Sequence, residues 1–249
     1  MKALYTANEL KNVRQAGQIL ARIFDGLKKR TKPDVSEKEL DTWVESEIIK
    51  AGGTVAYKTP AVNFPGAICI SVNDEIVHSP PTDYVLQTGD VVSFDLVVEY
   101  RGMNADSAFT MVVGEQPTGK KKHLLNTTER ALYAGLDVIK GPTYTGTIGA
   151  AIEKVLKGGG LGIVRELAGH GVGRKVHEKP SLPNYGSPSK GELIKPGQII
   201  AVEPMAMLGK DPIKQAADGW TYATKDGSLA AHFEHTVLVT EDGYEILTK

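Results

Sequence analysis

Cysteine is almost absent: Cys69 is the only one in 249 residues, so no internal disulfide can form. Its surroundings, AICISV, are apolar, which marks a small buried thiol rather than a nucleophile. Long apolar runs are absent too. No stretch of 18 apolar residues occurs, so no segment reads as membrane-spanning, and the opening residues MKALYTANELKNVR lack the apolar core of a secretory signal. Charge of one dominant sign is also missing, with 29 Lys and Arg against 30 Asp and Glu and a formal net charge of −1. No global field therefore favours nucleic acid or anionic lipid. What remains is an ordinary globular composition, 41% apolar and 24% charged. A cytoplasmic protein is expected, with no membrane partner, no specific nucleic-acid partner, and a monomeric state.

What is present is an internal repeat that carries acids. Residues 86–95 read LQTGDVVSFD and residues 194–203 read IKPGQIIAVE. They match without a gap and end on Asp95 and Glu203. A second pair follows, with Asp106 opening DSAFTMVVG and Glu234 opening EHTVLVT. One acid in a strand usually faces solvent. Two acids at matching positions of two similar halves, each followed by a second acid-bearing strand, point instead to four carboxylates converging on one place. Buried carboxylates that close together repel, so a positive group must sit between them. Four carboxylates roughly balance two divalent cations, and oxygen–nitrogen ligand sets suit manganese, iron, cobalt or zinc. Paired ions ~3.5–4 Å apart share a water and lower its pKa for hydrolysis.

The histidines extend this set. GHGVGRKVHEKP holds His170 and His177, and the glycines around His170 leave its backbone free for close approach. His78 follows a strand-like run in NDEIVHSPP, whereas His123 lies in a lysine-rich patch and reads as a solvated surface residue. GEQPTGKK (114–121) comes within one residue of a phosphate-binding loop. Lys121 stands where Ser or Thr is required, and Pro117 removes a backbone donor, so nucleotide binding is rejected.

The chain order supports one domain over 1–249, with pseudo-repeated halves about 1–116 and 117–249. Thr6-x-x-Glu9 and Ser36-x-x-Glu39 are capping boxes that start two helices, the second stopping at Gly52-Gly53. Strands follow in AICISV, DVVSFDLVVEY and NADSAFTMVVG, with a hairpin turn near Arg101-Gly102. The order then restarts: a helix over about 121–140, another from near Thr147 to the glycines at 158–160, then strands in LGIVREL, GQIIAVEPMAM and AAHFEHTVLV. Residues 179–196 are expected to be irregular and to border a pocket. Antiparallel strands covered by helices make the fold class α+β.

Taken together, SVNDEIVH, GDVVSFD, NADSAF, GHGVGRKVHEKP, AVEPM, DGWT and AHFEHTVLVTEDGYEIL resemble the pita-bread metallopeptidases, and in particular the type I methionine aminopeptidases, over nearly the whole chain. The resemblance implies a curved antiparallel sheet covered by helices, and five metal ligands at Asp95, Asp106, His170, Glu203 and Glu234. It implies two divalent ions per chain (Co, Mn, Fe or Zn), with Asp95 chelating one, Asp106 and Glu234 bridging, and His170 and Glu203 serving the second or both. Glu203 is the implied proton shuttle, His177 the group that stabilises the substrate oxyanion, and His78 a contact at the scissile peptide nitrogen. Phe64 and Trp220 are implied to line the methionine side-chain pocket. The implied substrates are the N-termini of nascent polypeptides with a small second residue, met transiently at the ribosome. The absence of a long insert before AVEP favours type I, and the absence of an N-terminal extension points to a bacterial member.

Departures from the pattern are expected to matter for selectivity. Ser79 stands where Gly is usual, Pro60-Ala61-Val62 lacks a tyrosine common in that pocket, and Val176 replaces a frequent Phe. Two lost aromatics leave a roomier pocket unless Phe64 or a neighbouring loop fills it, at a cost of ~1–3 kcal/mol in discrimination. His232 stands where Gln is common and is either a partner of the ligands or a solvent-facing substitution. Two rival functions remain: a same-fold aminopeptidase with relaxed or prolidase-like specificity, and a non-catalytic peptide-binding module.

Overall fold

The computed structural model describes residues 4–249; Met1, Lys2 and Ala3, which open both the MKALYTANELKNVR segment and the 1–249 span, lie outside the described residues. Helix α1 (Ala7–Arg30) begins where Thr6 and Glu9 exchange side-chain and backbone hydrogen bonds, and α2 (Glu37–Lys50) begins on the same device at Ser36 and Glu39. Each box satisfies N–H groups that the first helical turn leaves free. Val13, Leu20, Phe24 and Leu27 form the buried stripe of α1, and Leu40, Val44 and Ile48 that of α2. Helices α3 (Gly119–Asp137) and α4 (Thr145–Gly158) bound the second pair a few residues from the expected limits, separated by Gly141 (φ +107°) and Pro142.

The main sheet has nine strands: β1 (Thr54–Val55), β2 (Cys69–Val72), β3 (Val91–Tyr100), β4 (Met103–Val112), β5 (Ala168–Gly171), β6 (Glu178–Pro183), β7 (Ile199–Val202), β8 (Glu234–Val239) and β9 (Tyr244–Ile246). Their order is β1-β3-β4-β8-β7-β5-β6, with β2 also on β3 and β9 on β8, and every pairing is antiparallel. The β3–β4 hairpin pairs Val91 with Val112 through Tyr100 with Met103. Its turn is Arg101 (φ 49°) and Gly102 (φ 81°), the positive pair that a tight two-residue hairpin requires.

Both faces of β3 and β4 are buried, so the polar residues Asp95, Asn104, Asp106, Ser107 and Thr110 lie inside the molecule. One face, with Phe94 and Phe109, packs under α1 in a core that takes residues from both sequence halves. The opposite face carries Asp95, Asp106 and Val97, and over it lies a smaller cluster of Ala56, Tyr57, Phe64 and Cys69.

Four expectations need correction. GQIIAVEPMAM is not one strand: β7 ends at Val202, and Met205–Met207 joins a separate three-stranded sheet with Ala230–His232 and Gly162–Ile163. Pro204 has no N–H to continue the ladder, and its carbonyl instead accepts from the Phe233 N–H. AAHFEHTVLV breaks likewise, at Phe233. Only Gly162–Ile163 of LGIVREL is strand. Residues 179–183, the start of the stretch expected to be irregular, belong to β6 at the sheet edge, where Pro180 is tolerated because an outward-facing N–H is not needed.

Candidate metal centre

Register alone brings the expected ligands together. In β4, Ala108 lies opposite Asp95 of β3 on one side and opposite Glu234 of β8 on the other. Residues two apart on a strand share a face, so Asp106 joins them. Strand β7 pairs Val202 with His235, so Glu203, one residue beyond the strand end, comes beside Glu234. Strand β5 sets His170 opposite Ala201. Five side chains thus arrive on one face from five adjacent strands, with small Ala108 and Ala201 leaving the space between them. Asp106, His170 and Glu234 offer ligand atoms within 4.8 Å of one another. His170 Nε2 lies 3.4 Å from Glu203 Oε1 and 3.7 Å from Asp106 Oδ2.

All four acids are buried. Burial raises each carboxyl pKa: Asp95 to about 6, and Asp106, Glu203 and Glu234 well above the usual range, with mutual repulsion as the second cause for those three. Among the described residues no lysine or arginine pairs with any of them. Asp106 Oδ1 and Glu234 Oε1 are buried without a hydrogen-bond partner. Orphaned anionic oxygens around one histidine nitrogen fit divalent cations, and they fit nothing the chain itself supplies.

The histidines are tuned in the same direction. His170 Nδ1 lies 2.9 Å from the Gly171 carbonyl, which only accepts, so Nδ1 carries the proton and Nε2 is left as the ligand atom. Burial lowers the His170 pKa to about 4, which keeps the ring neutral. The His177 ring stands edge-on to it, centroids 4.4 Å apart, at the exposed rim of the cavity. His78 holds a left-handed backbone (φ 61°), and burial lowers its pKa to about 4. A non-glycine residue kept there stores strain, which functional sites tolerate. His232 is not solvent-facing. It is buried, its Nε2 is 3.8 Å from Glu234 Oε2 and 4.0 Å from Glu203 Oε2, and neither ring nitrogen has a hydrogen-bond partner.

A cavity of about 430 Å³ opens onto this centre, and all five candidate ligands line it: Asp95, Asp106, His170, Glu203 and Glu234, together with His78 and His177. Phe64 and Trp220 form part of its apolar wall, their rings 5.3 Å apart and edge-to-face. The aromatic missing at 60–62 is replaced by one that the sequence reading overlooked. Tyr57, in a short 3-10 turn (Ala56–Lys58), packs edge-on against Phe64 at 5.3 Å and donates its hydroxyl to Asp95 Oδ1 at 2.6 Å. Val62 and Val176 pack on the same cluster. Only a tyrosine close to the vacant position hinted at this. Cys69 also lines the cavity, and burial pushes its thiol pKa well up, as expected of a packing residue. Away from the centre, His123 is exposed and bonds the Gly159 carbonyl, and the phosphate-loop look-alike is tied down by Lys121 pairing with Glu115 and the Gly89 carbonyl.

Fold and centre together define the class, a metallopeptidase on a pita-bread scaffold. The model of Metallopeptidase family M24 matches residues 11–241, and the chain belongs to that family. It is 43% identical over 244 residues to methionine aminopeptidase 1 of Bacillus subtilis, covering 98% of each chain. The crystal structure of methionine aminopeptidase from Rickettsia prowazekii superposes with a TM-score of 0.95 at 34% identity, covering all of both chains. Prolidase from Pyrococcus furiosus shares the fold alone, with a TM-score of 0.78 at 22% identity over 66% of its length.

Proposed function

We propose that this protein is a methionine aminopeptidase, acting in the cytoplasm as one 1–249 domain on nascent polypeptides whose second residue is small. The observation that carries the reading is the convergence of Asp95, Asp106, His170, Glu203 and Glu234 on one face of five adjacent strands, in a chain with full-length methionine aminopeptidase relatives. These five residues would hold two divalent ions, of manganese, iron, cobalt or zinc. When bound, the ions supply an activated water and positive charge for hydrolysis of the first peptide bond.

The chain's own groups divide the remaining work. Glu203, with a carboxyl pKa pushed up by burial and by neighbouring acids, is suited to take a proton and pass it to the leaving amine. His177, at the cavity rim, would donate to the substrate carbonyl oxygen as negative charge develops there. His78 would contact the scissile peptide nitrogen. Phe64 and Trp220 would receive the methionine side chain against the apolar wall that their rings form.

The test is hydrolysis of Met-Ala-Ser, Met-Pro-Ser, Leu-Ala-Ser and Ala-Pro-Ser by metal-reconstituted protein, with Asp106→Ala as control. Release of methionine alone, abolished in the variant, supports the proposal. Cleavage of the leucine peptide or of the Ala-Pro bond would establish a different specificity, and no cleavage with any of the four metals would leave a peptide-binding module.

A further inference from the structure

Tyr57 joins two features that are otherwise separate, the side-chain pocket and one metal-facing carboxylate. It is buried among Ala56, Phe64, Cys69 and Val97 and lines the cavity. Its 2.6 Å hydrogen bond to Asp95 Oδ1 has the length of a charge-assisted O–H···O⁻ contact. Asp95, like Glu203, stands outside the tight group of Asp106, His170 and Glu234, and of these two Asp95 is the one a tyrosine hydroxyl holds. Strand β3 fixes only its backbone, so its carboxylate orientation depends on what touches it.

We propose that Tyr57 is a positioning and specificity-determining residue: its hydroxyl fixes Asp95 for the ion that Asp95 serves, while its ring supplies the pocket wall that Pro60-Ala61-Val62 lacks. This rests on the two-ion aminopeptidase reading above. A carboxylate oxygen has room to accept one hydrogen bond and still face a cation. Partners of ligating carboxylates orient them, and losing one typically lowers metal affinity about 10–100-fold. The ring acts through shape alone: with Phe64 and Trp220 it makes an unbroken edge-to-face row, Tyr57 to Phe64 to Trp220, with both centroid spacings at 5.3 Å. Hydroxyl and ring are therefore separable by substitution.

The experiment is a calorimetric titration of Mn²⁺ into the metal-free full chain, wild type and Tyr57→Phe, with kcat/KM measured for Met-Ala-Ser and Leu-Ala-Ser. The phenylalanine variant keeps the ring and is expected to fold, which a thermal melt of the metal-free protein checks. Its affinity for one ion should fall at least about tenfold, the other should stay within about twofold, and the Met/Leu preference should be unchanged. Tyr57→Leu, which loses the ring as well, should in addition lower that preference by about tenfold. Unchanged affinities in Tyr57→Phe, or an equal loss at both ions, would overturn the role of the hydroxyl, and an unchanged preference in Tyr57→Leu that of the ring. The wild-type titration independently tests the two-ion reading. Should it show a single ion, that reading fails, and the same comparison on that ion still decides the role of Tyr57.

Discussion

His232 has a buried imidazole with two unpartnered nitrogens, pointed at Glu203 and Glu234. Burial lowers its pKa to about 3, so the ring is neutral and carries one N–H, and Nε2 is 3.8 Å from Glu234 and 4.0 Å from Glu203. Replacing it by glutamine keeps a donor, and kcat/KM should stay within a few-fold of wild type. Replacing it by leucine removes the polar ring beside both carboxylates and should lower metal affinity about 10–100-fold, measurable by the same Mn²⁺ titration. Asp95 gives a second prediction. A carboxyl with a raised folded pKa stabilises the fold while protonated and loses that contribution as pH climbs through the folded value, about 6 here. In urea unfolding of chelator-treated protein, Asp95→Asn should be more stable than wild type at pH 7.5, by up to about 3 kcal/mol for a shift of roughly two units. The two should be nearly equal at pH 4, and a more stable wild type at pH 7.5 would contradict this account. The acids were legible in the sequence because a charge inside an apolar strand is conspicuous. Tyr57 was not, since its hydroxyl reaches Asp95 across 38 positions that no local pattern connects.

At the scale of elements, the centre exists because strands approach closely and stop at the right residues. The glycines around His170 are required by packing more than by conformational freedom. A Cβ on Gly169 would lie 2.5 Å from the Ala201 carbonyl oxygen and 3.4 Å from Glu203 Cγ. Gly169→Ala should therefore push β5 from β7, costing about 1–3 kcal/mol of stability and lowering kcat/KM at least about tenfold, since a misplacement of ~1 Å costs as much as 10²-fold. Both effects are read by denaturant unfolding and steady-state kinetics. A variant with wild-type kinetics would show that β7 has room to yield. The helix starts and the Arg101-Gly102 turn were legible because capping boxes and paired positive φ values are local devices. The breaks at Pro204 and Phe233 were not. There the chain leaves the main sheet for a second one beside Glu203 and Glu234, and the choice of partner strand is a long-range property.

For the whole molecule, the helix-covered face of the sheet supplies the core while the opposite face concentrates four acids that destabilise one another. No helix among the described residues is long and apolar enough to cross a membrane. Cation binding and folding should consequently be coupled, and both should depend on pH. The four carboxyls carry raised pKa values, whereas His170 is already neutral above its value of about 4. Ions must therefore displace protons from the acids, so apparent Mn²⁺ affinity should rise from pH 5.5 to pH 7.5 with net proton release. Calorimetry in two buffers of different ionisation enthalpy measures that release, and an affinity independent of pH would argue against carboxylate ligands.

The most direct single measurement is methionine release from Met-Ala-Ser by chelator-treated protein as Mn²⁺ is titrated back. The account predicts no release from the metal-free chain and activity that appears as the ions bind, with an Asp106→Ala sample silent throughout. Turnover by the metal-free protein, or a fully active Asp106→Ala variant, would contradict it.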